Sequence, residues 1–301
     1  MSFVPAGDAL AVYPRAQRTL CRPARVWGYG YWSGQDVMVE FRPAAADTGI
    51  VFIRGDHEPP QRIPARVQHR LEVPRRTTLG LGGSRVEMVE HAMGALHGLG
   101  IDNCEVWMDR AEMPGCDGSS QPFVKALQEA GSTSLPELRS QLVVRQPLRV
   151  GTKDRWVEAR PSQDGRLSLE CRIDYGPRGP IGHQRFRISM NPEAFCRELA
   201  PARTFLLEEE ALQLRQQGLG LRVTPRDLLV FDDQGPMDNS LRFPDECVRH
   251  KTLDLVGDLA LADRDLVGHF VAHCSGHHLN AALVSALLVR QGEGIAYKKS
   301  A

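Results

Sequence analysis

No two of the seven cysteines stand close enough in the chain to form a CxxC pair. Cys21, Cys104, Cys116, Cys171, Cys196, Cys247 and Cys274 are an odd, scattered set, which argues against a disulfide framework and against a thiolate zinc cluster. Reduced thiols in a cytoplasmic protein are the simpler expectation. An excess of either charge is missing too: 37 lysines and arginines balance 37 aspartates and glutamates. That balance gives no general reason to bind nucleic acid or an anionic membrane, although a local basic pocket for a small anion is compatible with it. No run of about 18 apolar residues occurs, so no membrane span is expected. The opening "MSFVPAGDALAVYPRAQRTL" has neither a basic start nor a long apolar stretch and does not read as a signal peptide. What remains is a composition of 42% hydrophobic and 25% charged residues, typical of a folded chain, and a length of 301 residues, enough for two domains.

The first half opens with strand-like segments, "DVMVEF" (36–41) and "GIVFIR" (49–54), and the glycines of "WGYGYWSG" predict a tight hairpin between strands. The spacing of Val86, Val89, Met93, Leu96 and Leu99 predicts a helix, with Ser84 and Glu87 as a capping pair and Gly98 and Gly100 at its end. "CEVWM" then reads as a strand, and "DGSSQPFVKALQEAG" as a turn followed by a helix. "GSTSLPELRS", 131–140, reads as a domain junction. Domains are expected over 14–134 and 141–298, joined by a linker at 135–140. In the second half, "KDRWVEARPSQDGRLSLECRID" predicts a hairpin turning at Asp164-Gly165, and 191–220 is expected to be helical. A helix over about 245–261, a strand in "LVGHFVAHCS" and a last apolar helix in "HHLNAALVSALLV" complete the chain. "VEHAMGAL" and "VRHKTLDL" place Val89, His91, Leu96 and Val248, His250, Leu255 at the same spacing. Each half runs from strands into a histidine-bearing helix and on to another strand. The expected fold is therefore α+β: two related two-layer βα domains facing each other with the active site between them.

His250 and Asp254 stand four residues apart, so one helical face presents both to the same point. Asp258 lies one turn further, rotated by about 80° from His250. A histidine nitrogen and a carboxylate oxygen suit zinc, and His91 from the first half would complete a three-ligand set with an open position for water. Glu90 faces about 100° away from His91 along its helix and could address the water instead. The alternative is a solvated glutamate beside a partly buried histidine. His277 in "HCSGHHLN" is either an acid–base partner, oriented and kept protonated by Asp258, or a satisfied histidine at a helix start. Thr204 and Lys251 are either oxyanion or substrate contacts, or a structural threonine and a solvent-facing lysine.

Several motifs occur together and in order: "QRTL", "RPAAADTGIVF", "VEHAMGALHGLGIDN", "DGSSQPFV", "ARTF", "RFPDECVRHKTLDLVGDL" and "SGHHLN". In these the sequence resembles the UDP-3-O-acyl-N-acetylglucosamine deacetylase family, zinc amidases of lipid A biosynthesis. The resemblance implies His91, His250 and Asp254 as zinc ligands, Glu90 as general base, His277 as acid–base or electrostatic partner, and Asp258 as the residue that orients it. It implies Thr204 near the oxyanion and Phe205 and Lys251 against substrate. The implied fold has a small insertion in each domain, with an apolar passage for the acyl chain in the second and a basic surface near the nucleotide phosphates. The implied reaction is hydrolysis of the acetamido group of an acylated UDP-amino-sugar, by a cytoplasmic monomer with no nucleic-acid partner.

Two stretches depart from the family pattern. "GYGYWSG" stands where the family has glycine-leucine-histidine-threonine-glycine, so Tyr31 and Trp32 are expected to narrow the approach to the site. Arg222 and Val223 stand where the family has a glycine pair, and Arg222 is expected either to obstruct the acyl passage or to contact an anion. Glu208, Glu209 and Glu210 in the same insertion are expected to form a solvated face. Two other readings stay open: a related zinc N-deacetylase acting on a different amide or nucleotide sugar, and a non-catalytic metal- or nucleotide-sugar-binding homologue.

Overall fold

The computed structural model describes residues 13–177 and 179–292. Residues 1–12 of the opening segment read for a leader, and the last residues of the second expected domain, lie outside the described residues. The first half contributes strands β1 (Ala16–Leu20), β2 (Ala24–Tyr29), β3 (Asp36–Pro43), β4 (Ile50–Arg54) and β5 (Gln61–Pro64). Three short strands follow, β6 (Arg70–Leu71), β7 (Thr78–Leu81) and β8 (Ser84–Glu87). Helix α1 (Glu90–Gly98), β9 (Cys104–Met108), helix α2 (Gln121–Ala130) and β10 (Ser132–Leu138) complete the half. The second half begins with β11 (Gln141–Val143), β12 (Leu148–Gly151), β13 (Trp156–Arg160), β14 (Leu167–Asp174) and β15 (His183–Ser189). It continues through α3 (Pro192–Ala194), β16 (Phe205–Leu207), α4 (Glu208–Gln216) and β17 (Leu229–Phe231) to α5 (Glu246–Leu259), β18 (Asp265–His273) and α6 (His277–Arg290).

The two main sheets have the same topology. The first has the order β2-β3-β9-β4-β5, with central β9 antiparallel to β3 and parallel to β4. The second has the order β12-β13-β18-β14-β15, with central β18 antiparallel to β13 and parallel to β14, and β11 beside the start of β18. The strands alternate as half-buried strands should: Val37, Val39 and Phe41 point into the core, while Glu40 on the outer face pairs with Arg25 and Arg42. Glu158 and Glu170 repeat this arrangement in the second sheet, each held between two arginines. On the inner faces, α2 lies on β2, α5 on β14 and β15, and α6 on β12 and β13, while α1 packs against α5. The halves thus meet through their helices, in a mixed α+β fold. A three-stranded sheet, β6-β7-β8, inserts into the first half, and β16-α4-β17 into the second. Among the described residues no helix is long and apolar enough to cross a membrane.

Local expectations were overturned at four places. Ser84 does not cap α1: the stretch Ser84–Glu87 pairs with β7, Met88 turns the chain with φ 59, and the helix starts at Glu90. Gly100, with φ +68, does close the helix, its N–H donating to the His97 carbonyl. The strands on either side of Asp164-Gly165 do not form a hairpin, because β18 inserts between them. A connection that has to cross one intervening strand spans about 10 Å, which residues 161–166 can reach. The span 191–220 is helical only in parts, since Phe205–Leu207 is a strand paired parallel with β17. The acidic run is not a solvated face either: only Glu209 is exposed, while Glu210 accepts the Leu207 N–H at the start of α4 and pairs with Arg75 at 3.0 Å. The segment 135–140 contains the end of β10, which pairs antiparallel with β1.

Candidate active site

Helices α1 and α5 approach each other unusually closely. A Cβ on Gly257 would lie 2.1 Å from the Glu90 carbonyl oxygen, and one on Gly94 would lie 3.0 Å from Leu253 Cδ1. Every residue of α1 except His97 is buried, as is all of α5 apart from Arg249 and Lys251. Burial on all sides accounts for the run of leucines in α5, and the polar side chains among them face one another across the crossing.

The ligand atoms of His91, His250 and Asp254 lie within 4.8 Å of one another, and all three residues are buried. Asp254 Oδ1 stands 3.3 Å from His250 Nε2 and 3.7 Å from His91 Nε2. The imidazoles meet edge to face, with ring centroids 5.0 Å apart. His250 Nδ1 lies 3.1 Å from the Ala202 carbonyl; donation there fixes the tautomer and turns the Nε2 lone pair toward Asp254 and His91. Burial pushes the His250 pKa down to about 3, against the pull of Asp254, so the ring is neutral at physiological pH. Burial alone would raise Asp254, but the adjoining His250 imidazole, the Lys251 ammonium and a hydrogen bond from His91 outweigh it and hold the carboxyl well below its usual range. Lys251 Nζ donates to Asp254 Oδ2 at 3.1 Å and leaves Oδ1 facing the histidines. Two imidazole nitrogens and one ionised carboxylate oxygen at these separations fit a divalent metal ion.

Beside this group lie Glu90 and His277. Glu90 is buried, accepts the Thr77 N–H at 3.0 Å through Oε2, and places Oε1 3.9 Å from His277 Nε2. Burial raises its pKa. His277 opens α6 and sits with Nδ1 2.9 Å from Asp258 Oδ2. Asp258 is fully buried and also accepts from Asn280 Nδ2 at 2.8 Å and Thr77 Oγ1 at 2.6 Å. Burial would lower His277, but the charge and hydrogen bond of Asp258, with Glu90 and Asp254 beyond, raise it to about 9.

Both groups open into a cavity of about 240 Å³ whose far walls are apolar, including Leu206, Leu214, Leu219, Val223 and Val230. Thr204 lines it, its N–H donating to the Gly118 carbonyl at 2.7 Å. Tyr31, Trp32 and Lys251 line it as well. Phe205 does not; its ring packs edge-on to His250 with centroids 6.4 Å apart and lies 5.6 Å from Lys251 Nζ. Arg222 stands apart from the site, held on the surface by Asp36 at 2.6 Å.

The sequence reading named no role for Thr77, Asn280, Arg203 or Glu246. Asn280 lies three residues after His277, one turn along the same helix, a spacing that could have revealed it. Thr77 reaches both Glu90 and Asp258 from a loop with no periodic signal. Arg203 and Glu246 form a buried ion pair at 2.8 Å, and Arg203 also bonds Asn239 and the Ser240 carbonyl, tying the Thr204 segment to the start of α5.

Fold and site together define a class: an α+β protein of two like halves, with a two-histidine, one-carboxylate metal-type centre and an adjoining carboxylate–histidine pair between them. A family model described as UDP-3-O-acyl N-acetylglycosamine deacetylase (LpxC) matches residues 17–289. Proteins named UDP-3-O-acyl-N-acetylglucosamine deacetylase are similar over nearly the whole length. That of Anaeromyxobacter dehalogenans (strain 2CP-C) is 41% identical over 273 residues, 90% of this chain and 87% of its own. That of Geotalea uraniireducens (strain Rf4) is 39% identical over 91% of this chain and 89% of its own. That of Acidithiobacillus ferrooxidans (strain ATCC 53993 / BNL-5-31) is 40% identical over 91% and 90%. The chain belongs to the UDP-3-O-acyl N-acetylglycosamine deacetylase family.

Proposed function

We propose that this protein hydrolyses the N-acetyl amide of UDP-3-O-acyl-N-acetylglucosamine, releasing acetate, in lipid A biosynthesis. The observation that carries the reading is the convergence of His91, His250 and Asp254 beside Glu90 and His277, in a chain similar over 90% of its length to proteins named for that activity. We assign zinc to the three-residue group; bound there it would act as a Lewis acid toward the amide carbonyl and make water a stronger acid. Glu90 takes a proton from the attacking water, its burial-raised pKa bringing it nearer to working pH. Oxygen adds to the carbonyl carbon, and Thr204 stabilises the charge that develops on the carbonyl oxygen. Protonated His277, held by Asp258, stabilises that charge and supplies the proton with which the sugar nitrogen leaves as the C–N bond breaks. Lys251 holds Asp254 in place and, with Phe205 beneath it, borders the substrate. The apolar cavity receives the 3-O-acyl chain. The reading includes a cytoplasmic monomer built of the domains 14–134 and 141–298.

The test is acetate release from UDP-3-O-acyl-N-acetylglucosamine by the zinc-replete native protein and by Glu90→Gln, with the non-acylated nucleotide sugar as comparison. Native turnover is expected, with Glu90→Gln slower by about 10²–10⁴-fold and the non-acylated compound a poor substrate. Folded, zinc-loaded native protein that releases no acetate would overturn the proposal.

A further inference from the structure

The cavity has one wall built from two pieces of chain that belong to opposite halves. Tyr31 and Trp32 come from the β2–β3 hairpin, and Val223, Thr224 and Pro225 from the loop between α4 and β17. The two pieces are joined by contacts close to these lining residues. Arg222 donates through Nη1 to Asp36 Oδ1 at 2.6 Å and to the Gly34 carbonyl at 3.1 Å. Its guanidinium carbon lies 4.1 Å from the centroid of the Tyr29 ring. From the other direction, Tyr31 Oη donates to the Asp227 carbonyl at 2.6 Å. Tyr31 itself is wedged in place: a Cβ on Gly115 would come within 2.1 Å of its ring.

We propose that Arg222, by clasping Asp36 and Tyr29, fixes the wall between Tyr31 and Val223 and so limits the acyl chain that the cavity admits. This rests on the function proposed above and adds a specificity-determining residue to it. Arg222 works without touching the acyl chain. It holds the α4–β17 loop down on the hairpin, and the lining side chains on either side of the joint follow. Both members of the ion pair are exposed, Arg222 to 48% and Asp36 to 82%, so the pair alone is weak and screened by salt. The carbonyl contact and the aromatic face under the guanidinium make up the rest of the clasp. Such a joint can be opened by substitution without unfolding the core, since Arg222 lies outside it.

The test compares kcat and KM for a homologous series of straight-chain 3-O-acyl substrates, using native protein, Arg222→Ala, Asp36→Ala and the double variant. Opening the clasp is expected to lower KM severalfold for chains longer than the native optimum, while kcat on the shortest substrate stays within about twofold. The double variant should shift no further than either single one, as partners in one contact do, and high salt should move the native profile toward that of Arg222→Ala. In parallel, straight-chain fatty acids of the same series are titrated by displacement of a fluorescent apolar probe, which needs no turnover. Native and variant profiles that superimpose in both assays, with melting temperatures unchanged, would overturn the clasp. Absence of acetate release from any substrate with native protein would count against the function alone, and the fatty-acid series would then decide the clasp by itself.

Discussion

His277 lies between two carboxylates, 2.9 Å from Asp258 and 3.9 Å from Glu90, and this sets the pH range in which it can donate a proton. Burial works against its charged form, but Asp258 and Glu90 outweigh burial and raise its pKa to about 9. A histidine whose folded pKa is raised stays protonated up to that value. Its stabilising contribution is complete below the ordinary histidine pKa and is lost as pH rises through about 9. A divalent ion at the three neighbouring ligands adds positive charge and moves the value downward. The alkaline fall of kcat/KM should therefore report His277, and the acid fall Glu90, whose burial-raised pKa has to be passed before it can accept a proton. Asp258→Asn keeps a hydrogen-bonding side chain but removes the charge. It should move the alkaline limb down on the order of one pH unit or more and leave the acid limb nearly in place. A pH–rate profile of the variant decides this; an alkaline limb that does not move would mean that Asp258 only packs.

At the level of elements, the site depends on how closely α1 and α5 can cross. Gly257 has no room for a side chain against the Glu90 carbonyl, and because that neighbour is backbone, relief requires one helix to shift. Gly257→Ala is expected to cost about 1–3 kcal/mol and to move Glu90 and His91 away from His250 and Asp254. Calorimetry should show a lower Tm, and zinc titration a weaker affinity; a variant with both unchanged would refute the close-crossing account. The helices themselves were legible because histidine, carboxylate and leucine recur at helical spacing from Val248 to Leu259, and His250, Asp254 and Asp258 do fall where that spacing puts them. The crossing was not legible, since a glycine in a helix reads the same whether it faces solvent or a second backbone. Nor was the strand order around Asp164-Gly165. The turn is local and was found, but β18, which separates the two strands, comes about a hundred residues later in the chain. Ser84 misled in the opposite way: serine three residues before glutamate suits a helix cap, yet here β7 offered the same residues a ladder to join.

Across the whole molecule, one plan of strands is used twice, and α1 and α5 occupy equivalent places in it, each preceding the central strand of its sheet. The short echo between "VEHAMGAL" and "VRHKTLDL" is the sequence trace of that equivalence, and it brings His91 and His250 to the same point from opposite halves. An ion held by His91, His250 and Asp254 would therefore be a link between halves as well as a reagent. Any ligand that binds only the folded state stabilises it by mass action, by about 2.7 kcal/mol at a hundredfold excess over Kd. Zinc added to metal-free protein should accordingly raise Tm. His91→Ala, which removes the first half's only member of the group, should lose most of that increment, whereas Glu90→Gln should keep it. Hydrogen exchange should locate the effect, with chelation loosening the amides of α1 and α5 more than those of the edge strands β2 and β15. If zinc raised the Tm of His91→Ala as much as that of the native protein, the ion would be bound elsewhere, and the two halves would be joined by packing alone.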